Sequence, residues 1–170
     1  MANVVSSMIG VDLSGLGGTT QLFALGTPAF GSGGSEWQYV EATATFITGE
    51  IVLINPTGTA KTLISSLLTA GTEGYEIGFV QNLVNQGEFA WVARRGRGLY
   101  VLVTGGTTMT AGSDNGLALG ANSGRLVPGT AAGNTIYGVW LTQSISASGA
   151  STVATAVMQW PRILASGVPG

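Results

Sequence analysis

The chain has 170 residues, enough for one domain with its own apolar core, with or without an extended arm. Only 8% of its residues are charged, its formal net charge is −2, and 45% are hydrophobic. It contains neither Cys nor His, which excludes disulfides, thiol catalysis, the usual proton shuttle near neutral pH and the commonest metal ligand.

Residues 1–36 differ from the rest of the chain. "GLGGTTQLFALGTPAFGSGGSE" mixes glycine, Thr and Ser with short apolar islands. It is too apolar for free disorder and too broken by glycine for a packed element. The expected structure is an extended N-terminal arm ordered against a neighbouring subunit, or else a first edge strand with a loop. Its apolar side chains Leu22, Phe23, Leu25 and Phe30 are candidate interface residues. No Lys or Arg precedes the first apolar residues and the N-terminus has no compact apolar run, so no signal peptide is expected.

From Trp37 the pattern becomes β-like. "WQYVEATATF" alternates around strand formers, and "EIVLIN" is a short apolar run closed by Asn55-Pro56. "AKTLISSLLTAGTEG" has some helical spacing at Leu63, Leu67 and Leu68, and reads equally as a strand. "YEIGFVQ", "EFAWVARR" and "LYVLVTGG" are three further β-type runs, the last two joined by "GRG", which reads as a tight hairpin turned by Gly96 and Gly98. Residues 104–135 are glycine-rich, and "NTIYGVWLTQSIS" and "STVATAVMQW" complete the series. Short strands separated by Gly-rich turns predict an all-β fold: a single antiparallel β-barrel or β-sandwich, jelly-roll-like, over residues 37–163, with a C-terminal tail over 164–170. The apolar bias of both faces in "LYVLV" predicts burial on two sides.

The catalytic inventory is thin. Lys61 is the sole lysine and has no S-x-x-K spacing. "SDN" at Ser113–Asn115 lacks its companion boxes, and "NPTGTAKT" lacks the spacing of a phosphate loop. The carboxylates Glu36, Glu41, Glu50, Glu73, Glu76 and Glu88 flank turns or strand starts, where solvated surface is their ordinary role. "GSDNG" offers one carboxylate, too few for a calcium loop. No catalytic residue, cofactor or metal site is expected, and no enzymatic activity.

Three of the six basic residues, Arg94, Arg95 and Arg97, lie within four positions, near Phe89, Trp91 and Tyr100. Basic residues beside aromatics are the ingredients of a single-strand groove. No second basic cluster supports that reading, and the chain is acidic overall. The three arginines are therefore expected to face water or a partner's carboxylates, with no nucleic-acid or membrane partner. Trp37, Trp91, Trp140 and Trp160 are candidate anchors, each with the alternative of a place in the core.

The progression "YEIGFVQNLVNQGEFAWVARRGRGLYVLV" resembles a segment of tailed-phage capsid decoration, or cement, proteins, and "LALGANSGRLVPG", "YGVWLTQS" and "TAVMQWPRI" are similar to phage virion structural proteins. The resemblance implies a small all-β subunit on the outer surface of the capsid. It would be homotrimeric and would clamp neighbouring copies of the major capsid protein across seams. The alternative is a phage tail or fibre subunit with a carbohydrate-binding β-sandwich, its exposed Trp and Tyr stacking on sugar rings.

Overall fold

The computed structural model describes residues 17–64, 75–106, 108–112, 117–119, 124–128, 134–146 and 149–165. The described residues form twelve strands and one short 3-10 turn, Ser32–Gly34. The strands are β1 (Pro28–Phe30), β2 (Glu36–Ala42), β3 (Ile51–Ile54), β4 (Thr59–Thr62), β5 (Glu76–Val80), β6 (Phe89–Val103), β7 (Thr108–Met109), β8 (Leu117–Leu119), β9 (Leu126–Pro128), β10 (Asn134–Leu141), β11 (Ile145–Ser146) and β12 (Thr152–Ala165). The protein is all-β, as its alternation and turn chemistry predict.

Ten strands share one sheet, in the order β1-β2-β4-β3-β5-β6-β12-β10-β8-β9, with further pairings of β2 to β6 and of β6 to β9. Those two pairings close the sheet on itself twice. β2, β4, β3, β5 and β6 form one ring, and β6, β12, β10, β8 and β9 form another. β6 belongs to both. All pairings are antiparallel except β2 with β4 and β6 with β9. β7 and β11 pair separately.

The first ring is filled by Val40, Ala42, Val52, Ile54, Ala60, Val80, Ala90 and Val92, and Phe46 and Val84 pack with them as a plug. A ring this narrow needs small residues among the large ones. Gly78 is the tightest point: a Cβ there would collide with Val92 Cγ1. The second core contains Leu99, Val101 and Val103 of β6, Ala154, Ala156 and Met158 of β12, and Ile136, Val139 and Leu141 of β10. Ile51, Leu53, Ile77 and Phe79 join it from the other side of β3 and β5. All four residues of β3 are thus buried, alternately in one core and the other, which explains the unbroken apolar run "IVLI".

Two sequence expectations change. "GRG" is no hairpin: Phe89–Val103 is one continuous strand of 15 residues. Opposite β12, Ala156 pairs with Leu99 and Val157 with Arg97, so Gly98, at φ +68°, is the extra residue of a bulge. The glycine supplies a left-handed backbone for a kink rather than for a reversal. The helical alternative for "AKTLISSLLTAGTEG" fails at its start, where Ala60–Thr62 lie in β4; residues 65–74 lie outside the described residues.

Within the stretch 1–36, β1 pairs with β2, and from Gly17 onward the chain packs on its own domain. Gly18 bridges to Phe89, the Leu22 N–H donates to the Tyr39 hydroxyl (3.1 Å), and Phe23 lies 5.3 Å from the rings of both Tyr39 and Trp91. Phe89 stacks on Tyr39 at 6.2 Å. The parity shared by Phe89 and Trp91 places them on the outer face of the first ring, under the arm. The predicted boundary at residue 163 falls inside β12, which ends at Ala165, and residues 166–170 of the expected tail lie outside the described residues.

The turn that receives the arm is held by Glu88. Its carboxylate accepts from the Asn85 main-chain N–H (2.7 Å) and side-chain amide (3.2 Å), and these bonds hold its carboxyl below the ordinary value. A depressed folded value stabilises the native state above the unfolded value and loses that contribution as pH falls. Denaturation midpoints measured from pH 7 to pH 3 should therefore decline below about pH 4.5, and the decline should be shallower in Glu88→Gln. Gly78→Ala should cost about 1–3 kcal/mol by overpacking, read as a lowered melting temperature. Adding Val92→Ala should recover part of that loss, because the two changes share one cavity.

Candidate functional site

The two rings meet at Arg95, which is paired with Glu36 of β2 on one side and Gln159 of β12 on the other. Glu36 is in turn opposite Phe30 of β1. Directly opposed residues share a face. Phe30, Glu36, Arg95 and Gln159 therefore form one row across four strands, spanning roughly 14 Å at the usual interstrand spacing. β6 reaches this row through a register shift: Trp37 is opposite Ala93 and Glu36 opposite Arg95, leaving Arg94 as the extra residue.

β12 is irregular at the same place. Tyr137 of β10 pairs with Arg162 and Val139 with Met158, so Gly138 alone faces three residues, Gln159, Trp160 and Pro161. A Cβ on Gly138 would lie 2.5 Å from the Gln159 carbonyl oxygen, so glycine is required for the approach. Trp160 takes φ +45°, unlike any other non-glycine described residue. That is a strained backbone for a bulky side chain, and the following proline disfavours it further.

The bulge delivers the Trp160 ring onto Arg95. The guanidinium carbon lies 4.4 Å from the ring centroid, and the indole N–H donates to Glu36 Oε2 at 2.8 Å. Arg95 Nη1 donates to Glu36 Oε1 at 2.9 Å. Glu36 thus has one oxygen on each partner and locks both. Trp160 remains 49% exposed, and Trp37, Trp91 and Trp140 are all less exposed than that.

A groove of about 240 Å³ lies beside this cluster, with Pro28, Phe30 and Trp37 as apolar walls and Glu36, Gln38, Glu76 and Arg94 as polar lining. Arg94 Nη1 is 2.7 Å from Glu76 and 3.2 Å from Gln38 Oε1. The Arg94 Nε is buried and has no hydrogen-bond partner. A smaller groove of about 120 Å³ lies against Arg95, Arg97, Met158 and Gln159, closed by Gly33 and Gly34.

Of the residues singled out from sequence, Phe30, Arg94, Arg95 and Arg97 come together here. Leu22, Phe23 and Leu25 do not: they belong to the arm over β2 and β6, Phe23 and Leu25 half-buried and Leu22 73% exposed. Phe89 and Trp91 are held in the aromatic cluster around Tyr39, so they are not stacking partners for the arginines. Glu73 and the Ser113–Asn115 stretch lie outside the described residues. Among the described residues no group of three or more His, Cys, Asp or Glu is placed to hold a metal ion. Among them, too, no helix is long and apolar enough to cross a membrane.

Sequence reasoning missed Glu36, Gln38 and Trp160 as parts of one site. The local signal was "QWP", a large aromatic directly before proline, but its partner Glu36 is 124 residues away.

No protein-family model matches this chain, and no curated protein does.

The arginine clamp is open to a direct check. Arg95→Ala should release the Trp160 ring, shifting tryptophan emission to the red and raising its quenching by iodide. The stability loss should be small, about 1 kcal/mol or less, because Arg95 and Glu36 are a partly exposed pair. Arg97→Ala should leave both readouts unchanged.

Proposed function

We propose that the chain is a structural virion protein, a decoration or cement subunit that binds the outside of a tailed-phage head and stabilises it across capsid seams. The observation that carries this reading is the set of large apolar side chains the fold leaves in water, Leu22, Phe30, Ile47, Leu83, Tyr100, Val153 and Trp160, on a chain with so few charges. Ile47 and Leu83 flank the bridged pair Phe46 and Val84, so two of them stand side by side at one end of the first ring. Exposed apolar area of this kind is best covered by a lasting partner.

In this reading the partners are the major capsid protein and sister copies in a homotrimer, and the mechanism is mechanical. Many copies bury apolar and main-chain groups over the seams and raise the barrier to rupture. No cofactor and no catalytic step is involved. A tail or fibre subunit is the second reading, favoured by the display of Trp160.

Quantitative mass spectrometry of purified particles decides between them. A copy number comparable to the major capsid protein supports the decoration role, a handful of copies moves the chain to the tail or fibre, and absence from particles overturns both. Deleting residues 1–20 should leave the domain folded while lowering its occupancy on heads. Unchanged occupancy would remove the arm from the attachment mechanism.

A further inference from the structure

We propose that the junction of the two rings is a binding site for a neutral carbohydrate, with Trp160 as its stacking platform. It deepens the second reading, whose sugar-stacking aromatic it locates, while the copy number in particles tests the place of the subunit separately.

Trp160 is built to be displayed. A strained backbone, a facing glycine and a following proline hold it out of the ladder. One face of its ring is covered by the Arg95 guanidinium and its N–H is taken by Glu36, so the edge needs no further partner. The ring remains half exposed for a flat apolar ligand surface. A side chain this constrained loses little freedom when a ligand arrives.

The chemistry around it selects the ligand. On the side of the larger groove, the two lining carboxylates, Glu36 and Glu76, are each ion-paired, with Arg95 and Arg94, so no lining charge is left without a counter-ion. A phosphate or a nucleic-acid backbone gains nothing from such a surface. What it offers is planar groups, carboxylate, guanidinium and the Gln38 amide, that present donors and acceptors in pairs beside apolar walls. The complement is a compact molecule with an apolar face and adjacent hydroxyls around its rim. A pyranose ring has that form. In the larger groove a charged ligand would have to break an existing ion pair, while hydroxyls can share the carboxylate and guanidinium groups already in place.

The test uses the full chain on a printed array of microbial and eukaryotic glycans, with any hit titrated in solution by calorimetry and tryptophan fluorescence. Neutral glycans should be retained, their binding should quench Trp160, and affinity should change little between low and moderate salt. Trp160→Ala should weaken binding at least about tenfold, the loss of one good stacking contact. Gln38→Ala, which alters the groove without touching the bulge, should also weaken it. Tyr100→Ala, an exposed aromatic elsewhere, should bind as the native chain does, and circular dichroism should show all three variants folded. Failure of every glycan to bind, or binding that survives Trp160→Ala and Gln38→Ala, overturns the proposal. Trp160-dependent capture of single-stranded DNA or of a proline-rich peptide in place of sugar overturns it as well.

Discussion

The constraint on which this fold depends is the double membership of β6. Its first half is paired with β2 and β5, its second half with β12 and β9, and both rings close only through it. A straight strand has two edges and cannot serve so many neighbours in one register. The register shifts at Arg94 and Gly98 are how the chain moves from one set of partners to the next. Bulges of this kind add twist and bend to the strand. The polar stretch Arg94–Arg97 falls between them because here β6 is leaving one core and entering the other, and neither core claims its side chains.

The same arrangement accounts for part of the unusual composition. In an ordinary antiparallel sheet one face is wet and carries the charges. Here β3 and β5 have no wet face: one side fills the first ring and the other packs on the second core. The outer face of β2 and β6 is covered in turn by the arm, through Phe23 on Tyr39 and Trp91. Much of the apolar excess is therefore used within the chain. The apolar side chains that remain in water are few and placed, which is why their positions carry more functional weight than the composition itself.

The class of fold was legible because β-formers alternate between Gly, Asn and Pro turns, and that signal is local. What the sequence hid was which strands pair. "RRGRG" has the residues of a hairpin turn, and only the partners of Leu99 and Arg97 reveal that Gly98 bends a strand instead of ending it. The arm was legible as different from the rest, but its packing depends on Tyr39 and Trp91, which look like ordinary core residues in a strand. For the site, clustered arginines were visible and their partners were not, since Glu36 and Trp160 meet only through tertiary pairing.

Trp160 shows how that pairing is made to serve a site. A non-glycine residue in the left-handed region costs on the order of 1–3 kcal/mol, and it persists only where surrounding contacts over-determine it. Here those contacts are the indole hydrogen bond to Glu36 and the stacking of Arg95, and both come from strands of the first ring. A bulge in the second ring is thus held by groups of the first. The cluster Glu36–Arg95–Trp160 is a clasp across the junction as well as a surface. Glu36 is its hinge point, because its two carboxylate oxygens bind the other two members. Loss of Glu36 would leave Arg95 without its counter-ion and Trp160 without its bond, so the ring would relax from its strained backbone and the platform would be lost even though every aromatic atom remained. The ability of this surface to recognise a ligand therefore depends on the Glu36 carboxylate twice over, because it sets the platform as well as lining the groove.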